Sequence, residues 1–587
     1  ETLTVKGTGE LAVNVLDLAA VTTLDATGNS GGVTYNATAS NATLKGGSGN
    51  DVLTDGAGND VITGGAGNDT LTGGASNDNI DGGAGDDQIV LTAVTEDDTV
   101  TGGEGTDTLS LATGTTYSAT VSAGSGISGF EVISNTGGAS MTQNLSGLGT
   151  NAITTLSLGG GTGTATIQEA AITTVDTEDM GATGSATLGL KTNGTADTLA
   201  VNVGAAGGTR GLTLAAMDYE TLNIASTGTD GNAVTLSDTE ASYLATGATE
   251  IAARTAAFAA RTVTDLTTIN ITGTKNLTVT DTAKSTAVTT VNAADFTGST
   301  LNVNVNDSNA AVTATANTAT SATITTGDGA DTVTVGNGGV ALTNNITTGK
   351  GNDTITSGAG ADTINAGAGA NQITSGDGDD ILTGGDGADT IDGGEGNDNI
   401  TSTTGADSIT AGAGNDTVTT TDGNDTVIGG TGDDNITTNK GNDSIVAGDG
   451  DDTVVSGTGS DYVTGGTGND TITVGTGDDT VDGGTGNDTI TVQTLSNGDS
   501  LVGGEGTDTL TIAAISSTST PTNISGMEVV NVTTLGGGAV GITLDLTNVS
   551  GLTSLTSANN TTGAVTMNIN NAPSTLTALS LDDGGNA

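Results

Sequence analysis

Large aliphatic residues recur along this chain at two spacings. Over 46–90 and 348–491 an Ile, Leu or Val stands at every ninth position, preceded by Asp (in one unit Asn) and one variable residue. Asp398-Asn399-Ile400-Thr401 is typical of these short stretches. Their Thr and aliphatic residues suit a short strand, with the aliphatic side chain pointing inward and its two neighbours outward. Glycines fill the intervals between them and permit the φ > 0 conformations of a tight loop. Elsewhere apolar and polar residues alternate over short runs, as in Leu266–Ile271, Leu277–Thr280, Leu301–Val305, Glu220–Ile224 and Glu528–Val532. This period of two, broken by Gly, Asn and Ser, predicts strands. Their number and irregular spacing suggest a parallel β-solenoid continuing outside the repeats, with a sandwich as the other arrangement that fits. Only the Ala-rich stretch Thr249–Ala260 reads as helical.

The nine-residue pattern is G-G-x-G-x-D-x-U-x, where U is aliphatic. Five units run without a slip from Gly46 to Val90, and sixteen from Thr348 to Thr491. Single units recur at Gly102–Ser110, Thr326–Thr334 and Gly503–Thr511. The sixth position supplies the candidate cation ligands. These are Asp51, Asp60, Asp69, Asp78, Asp87 and Asp107, then Asp331, Asp353, Asp362, Asp380, Asp389, Asp398, Asp407, Asp416, Asp425, Asp434, Asp443, Asp452, Asp461, Asp470, Asp479, Asp488 and Asp508. Asn371 is the one neutral residue at this position within the long block, so a weaker or vacant site is expected there. Thr403, Thr421 and Asn439 replace the second glycine in every other unit of one stretch. In a coil of two units they fall on one side, as a contact surface or as simple drift.

The two halves share an order of parts. Each main block is followed by an 11-residue insertion (Leu91–Thr101, Val492–Val502), then GGEGTDTL, then ISGFEVI (Ile127–Ile133) or ISGMEVV (Ile524–Val530). Ahead of the blocks, Val21–Leu24 is similar to Val288–Val291. This reads as a duplicated module of solenoid, repeat block and exit cap.

Composition narrows the chemistry. Ten Lys and Arg stand against 68 Asp and Glu, a formal net charge of −58 over 587 residues. Cys, His and Trp are absent, which excludes disulfides, thiol catalysis, Ser–His–Asp triads and HExxH metal sites. So few basic residues argue against a nucleic-acid partner. No run approaches the length of apolar sequence that a membrane helix needs, so no membrane span is expected. No glycosidase carboxylate pair stands out from the repeats, and the chain is not expected to be an enzyme. One aliphatic side chain per repeat unit returns far less than ordering the unit costs. The carboxylates of neighbouring loops repel as well. A hard divalent cation with oxygen ligands supplies the missing attraction.

The motif resembles the repeats-in-toxin (RTX) family, over about 24 units. That resemblance implies a parallel β-roll in which two units form one coil, with calcium between stacked loops, held by the sixth-position carboxylates and loop carbonyls. The fold class expected is therefore all-β: an elongated parallel β-solenoid, with calcium-loaded RTX β-rolls and irregular β-helical segments between them. The parts expected are a solenoid segment at 1–45, a first roll with exit cap at 46–110, irregular segments at 111–325, a second roll with exit cap at 326–511 and a β-rich segment at 512–587. Ions between loops one coil apart would number 14 in the long block and 3 in the short one, so the cofactor expected is Ca2+, about 15–20 ions. Seventeen divalent ions would change the net charge from −58 to −24.

In composition and arrangement the whole chain resembles RTX-type surface-layer (S-layer) proteins of Gram-negative bacteria. The resemblance implies self-assembly into a two-dimensional lattice, with itself as partner, at the cell surface after type I secretion. A partner polysaccharide of the cell envelope would be met through regions outside this chain. The chain reads as an internal piece or processed form of a longer protein. An RTX adhesin or matrix fibre with calcium-rigidified spacers is the alternative, and a detached toxin or enzyme tail a third.

Overall fold

The computed structural model describes 41–92, 97–111 and 343–513 as continuous stretches. Outside these it describes 1–13, 21–38, 126–135, 141–144, 153–158, 164–170, 174–176, 183–190, 198–203, 210–217, 221–226, 232–236, 268–273, 277–281, 290–293, 300–305, 313–316, 321–335, 523–533, 542–545, 549, 551–557, 567–570 and 573–581. Among the described residues every element is a strand. The helix expected at Thr249–Ala260 lies outside them.

The chain divides into two compact units, Glu1–Asn309 and Ala310–Ala587. Within each, a strand pairs in parallel with the next strand but one, so that the chain winds as stacked coils. In the second unit, Thr390–Glu395 pairs with Ser408–Ala413, and Ile381–Thr383 with Asn399–Thr401, each partner lying two repeat units further along. In the first unit, Val61–Ala66 pairs with Asn79–Ala84 at the same spacing. Away from the repeats the coils lengthen but remain parallel: Leu199 pairs with Leu222, Val279 with Val303 and Leu555 with Leu579. The uniform parallel pairing overturns the sandwich alternative for the described strands, since a sandwich is built from antiparallel sheets.

The core of each coil is thin. Ile364, Leu382, Ile400, Val418 and Ile436 stack one coil apart from one sheet, and Ile373, Ile391, Ile409, Val427 and Ile445 from the other. All ten are at most 1% exposed. Each is flanked by exposed or half-buried neighbours, as in the pattern of Asn399–Thr401. Most strands of the repeat blocks thus bury one large side chain, each contributing on the order of 2 kcal/mol, and leave the loop edges to supply the rest. Several strands elsewhere bury two, such as Leu199 with Val201 and Val530 with Val532.

Candidate metal centre

Stacked loops touch backbone to backbone. At the fourth position of its unit Gly441 has φ of +145°, and a Cβ there would lie 1.4 Å from the carbonyl oxygen of Gly423 one coil earlier. Only glycine fits so close an approach with that dihedral. The turn delivers the chain to the sixth-position Asp, just ahead of the strand.

All twenty-three aspartates named from the sequence are buried, none more than 4% exposed. The structure brings them together as ladders along the edges of the rolls. The amide of Asp398 donates to Oδ1 of Asp416 at 2.7 Å, the amide of Asp416 to Asp434 at 2.8 Å, and the amide of Asp434 to Asp452 at 2.8 Å. This ladder extends from Asp362 to Asp508. On the other edge of the second unit the same bonds run from Asp331 through Asp353, Asn371, Asp389, Asp407, Asp425, Asp443, Asp461 and Asp479. In the first unit one ladder is Asp51–Asp69–Asp87–Asp107, and the other begins Asp60–Asp78.

Twenty-two of the twenty-three thus spend one oxygen, Oδ1, on an amide of the neighbouring coil. For nineteen of them the other, Oδ2, is buried and has no hydrogen-bond partner. Two neutral residues reveal what that atom faces. Asn371 accepts from the Asp353 amide like any other rung, and its Nδ2 donates to the carbonyl of Gly384 at 3.2 Å. Asn344 likewise donates to the carbonyl of Ser357 at 3.2 Å. Each carbonyl opens the unit after next, so the two stand in the same place relative to their amides.

At an aspartate the same place holds an oxygen that has nothing to donate. Where a Cβ on Gly393 would stand, Asp398 Oδ2 is 2.4 Å away, and the Ala411 carbonyl, which stands to Asp398 as Gly384 does to Asn371, is 2.5 Å away. Beside Gly465 the corresponding distances are 2.4 Å to Asp470 Oδ2 and 2.4 Å to the Gly483 carbonyl. Two buried acceptors without a donor are costly. A cation or a proton must stand with them.

The proton affinities record that cost. Burial, joined by neighbouring carboxylates, pushes Asp69, Asp398, Asp434 and Asp470 up to about 7. Asp78, Asp87, Asp362, Asp389, Asp443, Asp452 and Asp479 rise to about 6, again chiefly through burial. A row of carboxylate and carbonyl oxygens, with no nitrogen or sulfur among them, is the donor set of a hard cation such as calcium. The residues fit that ion.

Several partners escape the nine-residue pattern. Asp98 and Asp499 sit inside the 11-residue insertions, yet accept from the amides of Asp78 (2.8 Å) and Asp479 (2.9 Å). Each precedes the next sixth-position Asp (Asp107, Asp508) by one repeat length, which is the signal that could have found them. Asn344 stands one repeat length before Asp353 in the same way. Glu131 and Glu528, within the two ISGxEV motifs, receive the last amides of the ladders, those of Asp107 and Asp508, each at 2.9 Å.

The fifth position forms a second, exposed ladder. The Asn397 amide donates to Asp379 Oδ1, the Asn415 amide to Asn397, and the Asp433 amide to Asn415, at 2.7–3.0 Å. Thr403, Thr421 and Asn439 do lie on one edge. There the Thr403 hydroxyl donates to the Gly385 carbonyl, that of Thr421 to the Thr403 carbonyl, and Asn439 Nδ2 to the Thr420 carbonyl. The bulkier second positions therefore stitch one coil to the one before it.

The family of RTX calcium-binding nonapeptide repeats matches 36–71, 56–89 and 90–116 in the first unit. In the second unit it matches 338–373, 366–400, 392–427, 419–454, 428–463 and 455–490. The two blocks are RTX calcium-binding repeats. The matched RTX stretches take in the first insertion, with Asp98, but not the single units at 326–334 and 503–511. No curated protein matches the chain.

Proposed function

We propose that this chain is a calcium-dependent structural protein, secreted to the cell surface, that assembles with its own copies into a two-dimensional surface layer. The observation that carries calcium dependence is the row of buried Oδ2 atoms that face carbonyls. Bound calcium would be held by the sixth-position aspartates, from Asp51 to Asp508, with carbonyls of the adjoining coil such as those of Ala411 and Gly483. Such an ion supplies the positive charge that these oxygens lack and ties each coil to the next. Asn371 gives its amide to Gly384 instead, so its rung holds calcium weakly or not at all.

The layer reading is supported by the arrangement of the whole chain. Acidic rolls alternate with Thr-, Asn- and Ala-rich parallel solenoid, and RTX repeats are typical of secreted extracellular proteins. Calcium would also bridge acidic copies that otherwise repel one another. Electron microscopy of the purified chain tests the proposal. Ordered planar arrays that form on adding calcium and dissolve in EGTA are expected. Isolated rods at all calcium concentrations would overturn the layer and favour an adhesin or matrix fibre.

A further inference from the structure

One unit of the first roll departs from every other unit of the two blocks. The unit at 55–63 begins with Asp, where the others begin with Gly, Ala, Ser, Thr or Val. Asp55 is 6% exposed, and neither of its oxygens has a hydrogen-bond partner. It points at two consecutive rungs of the ladder: carboxylate oxygens of Asp55, Asp60 and Asp78 all lie within 4.8 Å of one another, and all three residues are buried. Asp60 and Asp78 are already tied through Oδ1, to the amides of Ala42 and Asp60 respectively, and Asp60 Oδ2 is unpartnered. Gly74 leaves the room for this cluster, since a Cβ there would stand 2.8 Å from Asp55 Oδ1. No Lys or Arg occurs in 46–110 to neutralise it.

An ordinary pair of rungs offers two carboxylates, and this one offers three. We infer that Asp55, Asp60 and Asp78 form a three-carboxylate cation site that binds calcium, and trivalent lanthanides more strongly still, ahead of the two-carboxylate rungs. Charge count is the variable that sets affinity among oxygen-ligand sites of similar build. Desolvated like charges at this separation demand a compensating cation more than any other group in the roll. The first roll, with only five regular units, would then order at a lower calcium concentration than the long one.

The inference rests on the reading that the rolls bind calcium, and one experiment separates the two. Hydrogen exchange of the full chain is followed by mass spectrometry at stepped free calcium, and again at stepped terbium, at neutral pH. Wild-type amides over 42–78 are expected to gain protection at a calcium concentration about tenfold or more below those over 362–488. Asp55→Ser, which places at this position a residue that other units carry, and Asp55→Asn, which keeps the shape without the charge, should both move the first midpoint up to that of the second roll. The displacement should be larger for terbium.

Unchanged or lowered midpoints in both variants would overturn the site. So would full protection over 42–78 in wild type without any metal, which would mean that the three carboxyls share protons instead. If the second roll also ignored calcium, the reading of the rolls as calcium-ordered would fall with it.

Discussion

The main-chain amide of Asp398 donates to Oδ1 of Asp416 in the next coil, 2.7 Å away, while Asp416 Oδ2 stays buried and unpartnered. One carboxylate thus combines a structural bond with an unmet electrostatic demand, and substitutions can separate the two. Asp416→Asn keeps the acceptor and converts Oδ2 into a donor, as at Asn371. In calcium, exchange at the Asp398 amide should stay close to wild type. Asp416→Ala removes the acceptor as well, leaves that amide buried without a partner at a cost of about 1–3 kcal/mol, and should speed it. In calcium both variants should bind fewer ions, read by calorimetry on the full chain.

Calcium removal should unfold the repeat blocks. Buried like charges one coil apart and a core of mostly one large aliphatic residue per strand leave little to hold a metal-free roll together at neutral pH. Far-UV circular dichroism during EGTA titration should show loss of β signal, with recovery on adding calcium. An unchanged spectrum would contradict the assignment of Oδ2 as a cation ligand.

Acid should partly replace calcium. In the metal-free roll, Asp69, Asp398, Asp434 and Asp470 titrate near 7, above the ordinary value of 3.8. The folded form therefore binds more protons than the unfolded one. Its stabilisation is complete below about pH 4 and is lost as pH rises through about 7. Without metal, β content should be greatest near pH 4–5 and fall toward pH 8. Calcium competes with those protons, so its affinity should rise over the same interval. Circular dichroism across pH with and without EGTA reads both slopes.

How much of this was legible in the sequence depends on what kept the nine-residue register. Ile400 and Asp398 recur with their period, so the inward aliphatic residue and the row of sixth-position carboxylates could be anticipated. The coil of two units came from the resemblance to RTX repeats, and the bonds from amide to carboxylate were not foreseen. Asp98 and Asp499 were hidden because their units lose the glycines and gain two residues, although the spacing to Asp107 and Asp508 survives. Glu131 and Glu528 were hidden for another reason. Their carboxylates do the work of a sixth-position Asp from a coil that no longer carries the repeat. The exposed fifth-position ladder, such as Asn415 on Asn397, looked like an unconstrained position because Asn, Asp, Ser and Ala all occur there. The bulk at Thr403 and Thr421 read as drift or as a contact surface, since a sequence does not show that a hydroxyl reaches back one coil.

Gly441→Ala should be among the more damaging small changes. The backbone at φ +145° is strained for any L side chain, and the new methyl would meet the Gly423 carbonyl. A cost of about 1–3 kcal/mol follows from the dihedral alone, and the contact adds to it by forcing two loops apart. Thermal unfolding in saturating calcium should show a lower midpoint. Asn439→Gly, at the one non-glycine left-handed position of that loop stack (φ 66°), should be far milder, because it loses only the bond to Thr420.

The ends of the ladders should respond to loss of a single acceptor. Stacked coils meet only their neighbours, so a terminal coil frays unless something caps it. Glu528 caps the second roll by accepting the Asp508 amide, and Glu131 does so for Asp107 in the first. Glu528→Gln keeps an oxygen in place and should leave exchange of the Asp508 amide close to wild type in calcium. Glu528→Ala exposes or orphans that amide and should speed its exchange, with an effect of about 1–3 kcal/mol that fades over the preceding coils toward Asp470. If the charge of Glu528 rather than its acceptor matters, because it also stands by the last cation, the Gln variant should instead lose one calcium ion while keeping the amide protected.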